Sequence, residues 1–346
     1  MARNAKWSPT IKEVARHAGV ALSSVSRVLN DHPDVSPDMR LRVLRAVDEL
    51  GYEPDLLASS LRRGNTKTIG YLVADIVNPL FADILQGAER RLRAEGFSVL
   101  LAHSEGDSVR DVESMRLLRR RRIDGLIVSV ADETRAETLE ELARLDVPVV
   151  LLDREMEGQQ GFGGVLADHR TGVRRAVEHL IDLGHRRVGL VAGRPSTRPG
   201  RERLAGFLEG FERRGLPAPD DLVVHGKLAI DFGQRAVDGL LGAPDPPTAL
   251  ITGGNLIFVG AISALHRREI PVGEGLSLIT CDDIPLAEFH TPPITVVHRD
   301  TAAIGDLAAE IMLERLAGGP ARVETVSTEL LVRGSTRPLA FPSPLG

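Results

Sequence analysis

From Thr68 to Cys281 the chain alternates short β-branched runs with amphipathic segments of helical length, and few folds accommodate that alternation. A strand that is apolar at nearly every position must be covered on both faces. Strands separated by helix-length crossovers pair in parallel, so the pattern implies parallel sheets with helices on each side. The first set reads TIGYLV (68–73), a helix opened by Asn78-Pro79 with Leu80, Ile84, Ala88 and Leu92 recurring every four residues, FSVLLA, a helix near 109–122, GLIVSV, a helix near 134–144, and PVVLLD. A second set reads GGVLAD, the helix ending in HLIDLG, RRVGLVA, a helix at about 200–215, DLVVH, a helix near 231–241, TALIT, a helix near 255–269, and SLITC. This is more than one sheet holds comfortably, so a division is expected near residue 166. TPPITVVH, a long helix over 299–317 and VSTELLVR are then expected to cross back between the two halves.

Residues 10–50 have another texture, that of three short helices. Thr10 followed by Glu13 forms a capping box, and Val14, Ala15 and Ala18 fall on one face. Gly19 suits a tight turn. Leu22, Val25, Val28 and Leu29 make an inward stripe. Ser36-Pro37 starts a third helix carrying Met39, Val43, Leu44, Val47 and Leu50, and Gly51 ends it. Charge divides at the same place. Residues 1–68 carry 11 Lys and Arg against 8 Asp and Glu, a net of +3, whereas residues 69–346 carry 32 against 40, a net of −8. The first segment therefore has the sign of a DNA-facing module on an ordinary acidic body.

Composition excludes several classes. The single cysteine, Cys281, rules out an internal disulfide framework and a multi-cysteine metal site. There is no apolar run of eighteen residues, and MARNAKWSPT lacks the apolar stretch of a secretory signal, so a cytoplasmic location is expected and no membrane partner. An enzyme reading finds no chemistry to use. The ten histidines are scattered, His179 and His185 do not share a helical face, and no Gly-x-Ser-x-Gly elbow or phosphate loop occurs. No cofactor and no metal are expected. A transport solute-binding protein would share the α/β body but would have no use for residues 10–63.

TIKEVARHAGVALSSVSRVLN, VSPDMRLRVLRAVDELGYEPD and LLASSLRRGNTKTIGYLVADIVNPLF together resemble the lactose-repressor (LacI/GalR) family of transcriptional regulators. The resemblance continues through VLLDRE, AVEHLIDLGHRRVGLVAG, RERLAGF, VGAISAL, CDDIPLAEFHTPPITVV and ELLVRGSTRP, nearly the whole chain. It implies an all-α helix-turn-helix headpiece (1–54), a hinge helix and linker (55–66), and an α/β two-lobed periplasmic-binding-protein-like core with parallel sheets (67–340), followed by a tail (341–346). The N-lobe would take about 67–166 and 298–327, the C-lobe about 167–297 and 328–340. The implied function is a transcriptional regulator, a repressor, that binds a pseudo-palindromic double-stranded DNA operator as a homodimer under control of a small carbohydrate effector. The ending RGSTRPLAFPSPLG lacks the leucine-heptad helix by which some members become tetramers, hence the expected dimer.

The resemblance also carries roles onto residues. GVALSSVSRVLN becomes the recognition helix in the major groove, with Leu22, Ser23 and Arg27 as main specificity residues and Thr10, Ser24 and Asn30 beside them on DNA. Small hydroxyl residues permit close approach, and an arginine bidentate to guanine is worth about 1–3 kcal/mol of discrimination. In the hinge, Leu61 flanked by Ala58 matches the leucine that wedges into the minor groove, with Arg62 and Arg63 on phosphate; the bland alternative is a solvated linker. For the effector the implied residues are Asp75, Phe81, Asp153, Arg201, Leu228, Gly254, Asn255 and Asp282, with Arg198 an added partner for an anionic sugar. Asp153 and Asp283 could instead serve as ion-pair partners or helix caps. Relatives often have Asn-Asp where this chain has Gly254-Asn255, and an aromatic at Leu228, which suggests a roomier pocket less suited to flat ligands.

A last departure lies at Ala21, where the family most often places a capping Ser or Thr. Ala21→Ser is expected to stabilise the headpiece or tighten DNA binding by about 0.5–2 kcal/mol, the usual worth of an N-cap oxygen. Unchanged melting and unchanged DNA affinity would show that the amides already have other partners.

Overall fold

The computed structural model describes residues 9–29, 32–52, 65–156 and 161–339, in two compact units, Met1–Thr66 and Lys67–Gly346. The expected hinge helix, with Ala58, Leu61, Arg62 and Arg63, and also Asn30, lie outside the described residues.

The first unit contains α1 (Ile11–Ala18), α2 (Leu22–Leu29) and α3 (Pro37–Leu50). Val14, Val25, Val28, Val43 and Ala46 are buried together, so the apolar stripes read from the sequence close on one another. The capping box at Thr10 forms, with the Glu13 carboxylate 2.7 Å from the Thr10 amide. Ser36 Oγ accepts from Met39 N ahead of Pro37. Gly19 takes a φ of +62° after α1, a conformation in which a side chain is strained. The Arg42 guanidinium reaches from α3 to the carbonyls of Ala18 and Gly19 (2.7 and 2.9 Å) and satisfies that helix end.

The second unit holds two six-stranded sheets. The first comprises β1 (Thr68–Val73), β2 (Ser98–His103), β3 (Gly125–Val128), β4 (Val149–Leu152), β5 (Gly163–Ala167) and, from much later in the chain, β11 (Val323–Val326). It is parallel throughout, in the order β11-β5-β4-β3-β1-β2. The second comprises β6 (Val188–Gly193), β7 (Val223–Gly226), β8 (Ala249–Thr252), β9 (Ser277–Cys281), β10 (Thr295–His298) and an antiparallel edge strand β12 (Glu329–Leu331), in the order β12-β10-β9-β8-β6-β7. Around the first sheet lie α4 (Pro79–Ala94), α5 (Ser108–Arg120), α6 (Ala136–Ala143) and the late helix α12 (Thr301–Leu316). Around the second lie α7 (His169–Asp182), α8 (Arg198–Arg213), α9 (Ile230–Leu241), α10 (Asn255–Arg267) and α11 (Pro285–Phe289). Each sheet is covered on both faces by separate apolar clusters, as continuous apolar strands require.

Two readings need correction. GGVLAD does not open the second set: it is β5, paired with β4 and β11 in the first sheet, and the chain changes lobe only after Ala167. The reason is distant in sequence, because Gly163 lies so close to Ile311 of α12 that a Cβ would come within 2.6 Å of its side chain. The second miss is β11, an edge strand with three exposed residues that shows no apolar run.

α4 and α12 approach through glycines. A Cβ on Gly305 would lie 2.0 Å from the Ile84 carbonyl oxygen, and one on Gly87 would lie 2.4 Å from that of Ala302. These are backbone obstacles, so the helices must separate to admit a methyl. Gly305→Ala is therefore expected to destabilise the core by about 1–3 kcal/mol, seen as a lower urea midpoint of the full chain. An unchanged midpoint would show that the pair relaxes freely.

Candidate functional site: a recognition surface and an interlobe cleft

On α2, Val25 and Val28 point into the headpiece core, which leaves Leu22, Ser23 and Arg27 exposed and Ser24 half-buried. Leu22 is 44% exposed, a large apolar side chain left in water at the first turn. The Arg27 carbonyl accepts from His32 N, but its guanidinium makes no hydrogen bond or ion pair with any described residue. The Ala21 carbonyl accepts from Ser24 N and Val25 N, but this residue has no side-chain oxygen to cap the free amides. Thr10 spends its hydroxyl on the Glu13 carboxylate, 2.9 Å away.

In the core, the loops after the strands of both sheets meet around a cleft with about 90 Å³ of room for the centres of water molecules. Its walls follow strand C-terminal ends: Asp75 after β1, Ser129 after β3, Asp153 after β4, Arg194 after β6, Leu228 after β7, Gly254 after β8, Asp282 after β9 and Arg299 after β10. In both sheets the central strands β1 and β3, or β6 and β8, are wound in opposite directions from their start. This is the switch point at which open α/β sheets form a crevice.

Asp153 and Asp282 occupy equivalent places in the two lobes. Both leave their strands through the left-handed region, at φ of +54° and +71°. Each amide bonds the neighbouring strand, Asp153 N to Val165 O and Asp282 N to Val297 O. Between them lies Arg299, donating through Nη1 to Asp153 Oδ2 and through Nε to Asp282 Oδ1, both at 2.6 Å. His169 Nε2 donates to Asp153 Oδ2 (2.7 Å) from the start of α7. Burial opposes the charge on both acids, yet His169 and Arg299 beside Asp153, and Arg299 and Arg203 beside Asp282, outweigh it and hold the two carboxyls below the usual carboxylate range, Asp153 well below. Burial pushes His169 down to about 4, so at neutral pH it is an uncharged donor and Arg299 supplies the cation.

Of the eight expected effector residues, Asp75, Phe81, Asp153, Leu228, Gly254, Asn255 and Asp282 line the cleft. Arg201 does not. Its Nη2 donates to Glu133 Oε2 at 2.8 Å, and the arginine in the cleft is Arg203, two residues on. Arg203 belongs to the buried face of α8 with Gly206, Phe207 and Gly210, whereas Arg201 is turned off it; that helical phase is readable in the sequence. Arg198 is also engaged, donating to the Ala167 carbonyl at 2.8 Å. Leu228 lies against Gly254, its Cδ2 3.3 Å from where a Cβ would stand, so the leucine takes back part of the space the glycine releases.

Sequence reasoning also missed Ser129 and Arg299. Asn255 Nδ2 donates to Asn78 Oδ1 across the cleft (3.1 Å). Three buried polar atoms on its lining have no protein partner: Ser129 Oγ, Asn255 Oδ1 and Arg203 Nε. Each such unpaired group can gain a hydrogen bond that the protein does not supply.

Comparison with known proteins agrees with this architecture. Residues 10–55 match the profile of bacterial regulatory proteins of the lacI family, and residues 177–336 match a periplasmic binding protein-like domain. The ribose operon repressor of Escherichia coli (strain K12) is 35% identical over 309 residues, covering 89% of this chain and 93% of that one. The HTH-type transcriptional repressor PurR of Photobacterium profundum is 32% identical over 333 residues, covering 95% and 99%. Among solved structures, the lac repressor dimer bound to operator and the anti-inducer ONPF superposes with a TM-score of 0.83 at 25% identity, over 96% of this chain and 100% of that one.

The role of Arg299 is testable by pH. In the wild type, the stability contributed by Asp153 and Asp282 is complete above their ordinary pKa of about 4 and is lost as pH falls through their lower folded values. In Arg299→Leu the half-buried Asp153 and the buried Asp282 lose their shared cation, their pKa values rise, and the sign reverses. The variant is expected to lose about 3–5 kcal/mol at pH 7.5 and to recover part of it at pH 5, read as melting temperature. A melting temperature that falls in parallel with the wild type on acidification would contradict the bridge.

Proposed function

Because the chain belongs to the lacI family of bacterial regulatory proteins, we propose that it is a homodimeric repressor whose affinity for a pseudo-palindromic operator is set by a sugar bound in the interlobe cleft. The observation that carries the sugar reading is the cleft lining, where buried donors and acceptors without partners stand beside the carboxylates of Asp75 and Asp282. Carboxylates suit hydroxyls, since each oxygen accepts more than one hydrogen bond. Arg198 and Arg201, the cations expected to meet a phosphate or sugar acid, are occupied by Ala167 and Glu133. Arg203 and Arg194 remain on the lining, so the choice of a neutral monosaccharide over an anionic one rests on the name of the ribose operon repressor.

For DNA, the support is the outward face of α2. Leu22 suits a thymine methyl, Ser23 lets the backbone approach, and Arg27, whose guanidinium has no partner among the described residues, suits a guanine edge. A dimer places one headpiece on each half-site. Regulation follows if the sugar binds the DNA-competent and DNA-incompetent arrangements of the core with different affinity, since only a differential moves the equilibrium.

One experiment covers both halves. Full-length protein and a 67–346 chain are challenged with random-sequence duplexes, and the selected operator is titrated with ribose, glucose and their phosphate esters. The full chain is expected to enrich a palindrome that the shorter chain ignores. A neutral sugar at a hundredfold excess over Kd should stabilise the core by about 2.7 kcal/mol in a thermal shift and change operator affinity. Equal DNA binding by the shorter chain would overturn the repressor reading, and stabilisation by the phosphate esters alone would overturn the neutral sugar.

A further inference from the structure

The cleft explains the polar residues at the strand ends but leaves Glu133 unexplained. Glu133 follows β3 in the first lobe, is 4% exposed, and does not line the cleft. Its partners are mostly in the other lobe. Oε1 accepts from the backbone N–H of Arg198 at 2.6 Å, Oε2 accepts from Arg201 Nη2 at 2.8 Å, and the Glu133 amide donates to the Ser196 carbonyl at 3.1 Å. From its own lobe, Arg154 Nε lies 3.7 Å from Oε1.

Arg198 is the first residue of α8, where backbone amides have no intrahelical acceptor and the helix end carries partial positive charge. A Ser or Thr at the N-cap normally accepts from such amides. Thr197 makes no such bond; its hydroxyl donates to the Arg194 carbonyl at 3.0 Å. The N-terminus of α8 in one lobe is therefore capped by a carboxylate from the other. The contact also lies away from the lobe crossovers. The chain changes lobe beside β5, β11, β10 and β12 at one edge of each sheet, whereas β3 and β6, which carry the two halves of this contact, sit among the central strands.

The geometry points to Glu133 as a positioning residue, an interlobe clasp that caps α8 only while the two lobes stand as they do here. Parting the lobes strips the helix of its cap and leaves a buried carboxylate and the Arg201 guanidinium without each other, so the α8 terminus and the cleft change state together. The clasp rests on the effector reading only for its regulatory consequence, since capping and lobe spacing are properties of the protein alone.

The test measures lobe spacing directly. Spin labels are placed on the full chain at Glu113→Cys on α5 and Glu212→Cys on α8, both exposed, while the native Cys281 is buried and stays unlabelled. The labelled protein is diluted into excess unlabelled chain, and distances are read by pulsed electron paramagnetic resonance with no DNA or sugar present. With Glu133 intact, one short spacing is expected to dominate. Glu133→Ala should shift the ratio of parted to closed molecules by roughly 2- to 30-fold, the span of N-cap effects. Glu133→Gln still accepts from the Arg198 amide but loses the charge pairing with Arg201, so it should fall between, and it keeps the test alive if the alanine variant does not fold. Distributions unchanged from wild type would overturn the clasp, as would equal opening by Gln and Ala, which would mean the amide cap contributes nothing. Failure of the repressor reading would appear separately, in the operator titration.

Discussion

Asp153, Arg299 and Asp282 form an ion-paired bridge between the two lobes, beside the places where the chain crosses. The two sheets are built from different stretches of sequence, and each has its own apolar clusters. Where they meet, the strand ends present carboxylates from both sides, and two buried acids facing one cleft would repel in a low dielectric. Arg299, placed just after β10 where the chain passes back toward the first lobe, answers both with one guanidinium. The fork geometry of arginine is what makes this possible, because a lysine offers a point charge and cannot present two directed donors to separate carboxylates in the same way.

That bridge sets the character of the cleft. With Asp153 committed to His169 and Arg299, and Asp282 to Arg299, the charges nearest the lobe crossovers are largely neutralised. What remains for a ligand is a set of directional groups, Ser129, Asn255 and Arg203, held rigidly by buried backbone. The positive φ at both acids fits this picture, since a strained backbone persists only where the surroundings over-determine it.

Much of the fold is legible in the sequence because periodicity and capping are local. Asn78-Pro79 and Ser36-Pro37 start helices where their side-chain chemistry says they should, and the apolar runs form strands. The errors have a common cause. GGVLAD falls to the wrong sheet because its partner helix α12 begins only at Thr301. Arg201 is preferred to Arg203 because motif position says nothing of which way a side chain turns on a helix; the spacing of Gly206, Phe207 and Gly210 holds that information. Leu228 is expected to widen the pocket, whereas it leans into the space beside Gly254.

The sequence by itself determined the family, the three-helix headpiece with an outward Arg27, and the parallel α/β character of the core, since these depend on contacts between near neighbours and on alternation along single elements. Only the tertiary structure decided which arginine faces the cleft, which acids share Arg299, and that a glutamate from one lobe caps a helix of the other. Those choices join residues 17 to 146 positions apart, and their energies come from burial and mutual geometry, which exist only once both lobes are assembled.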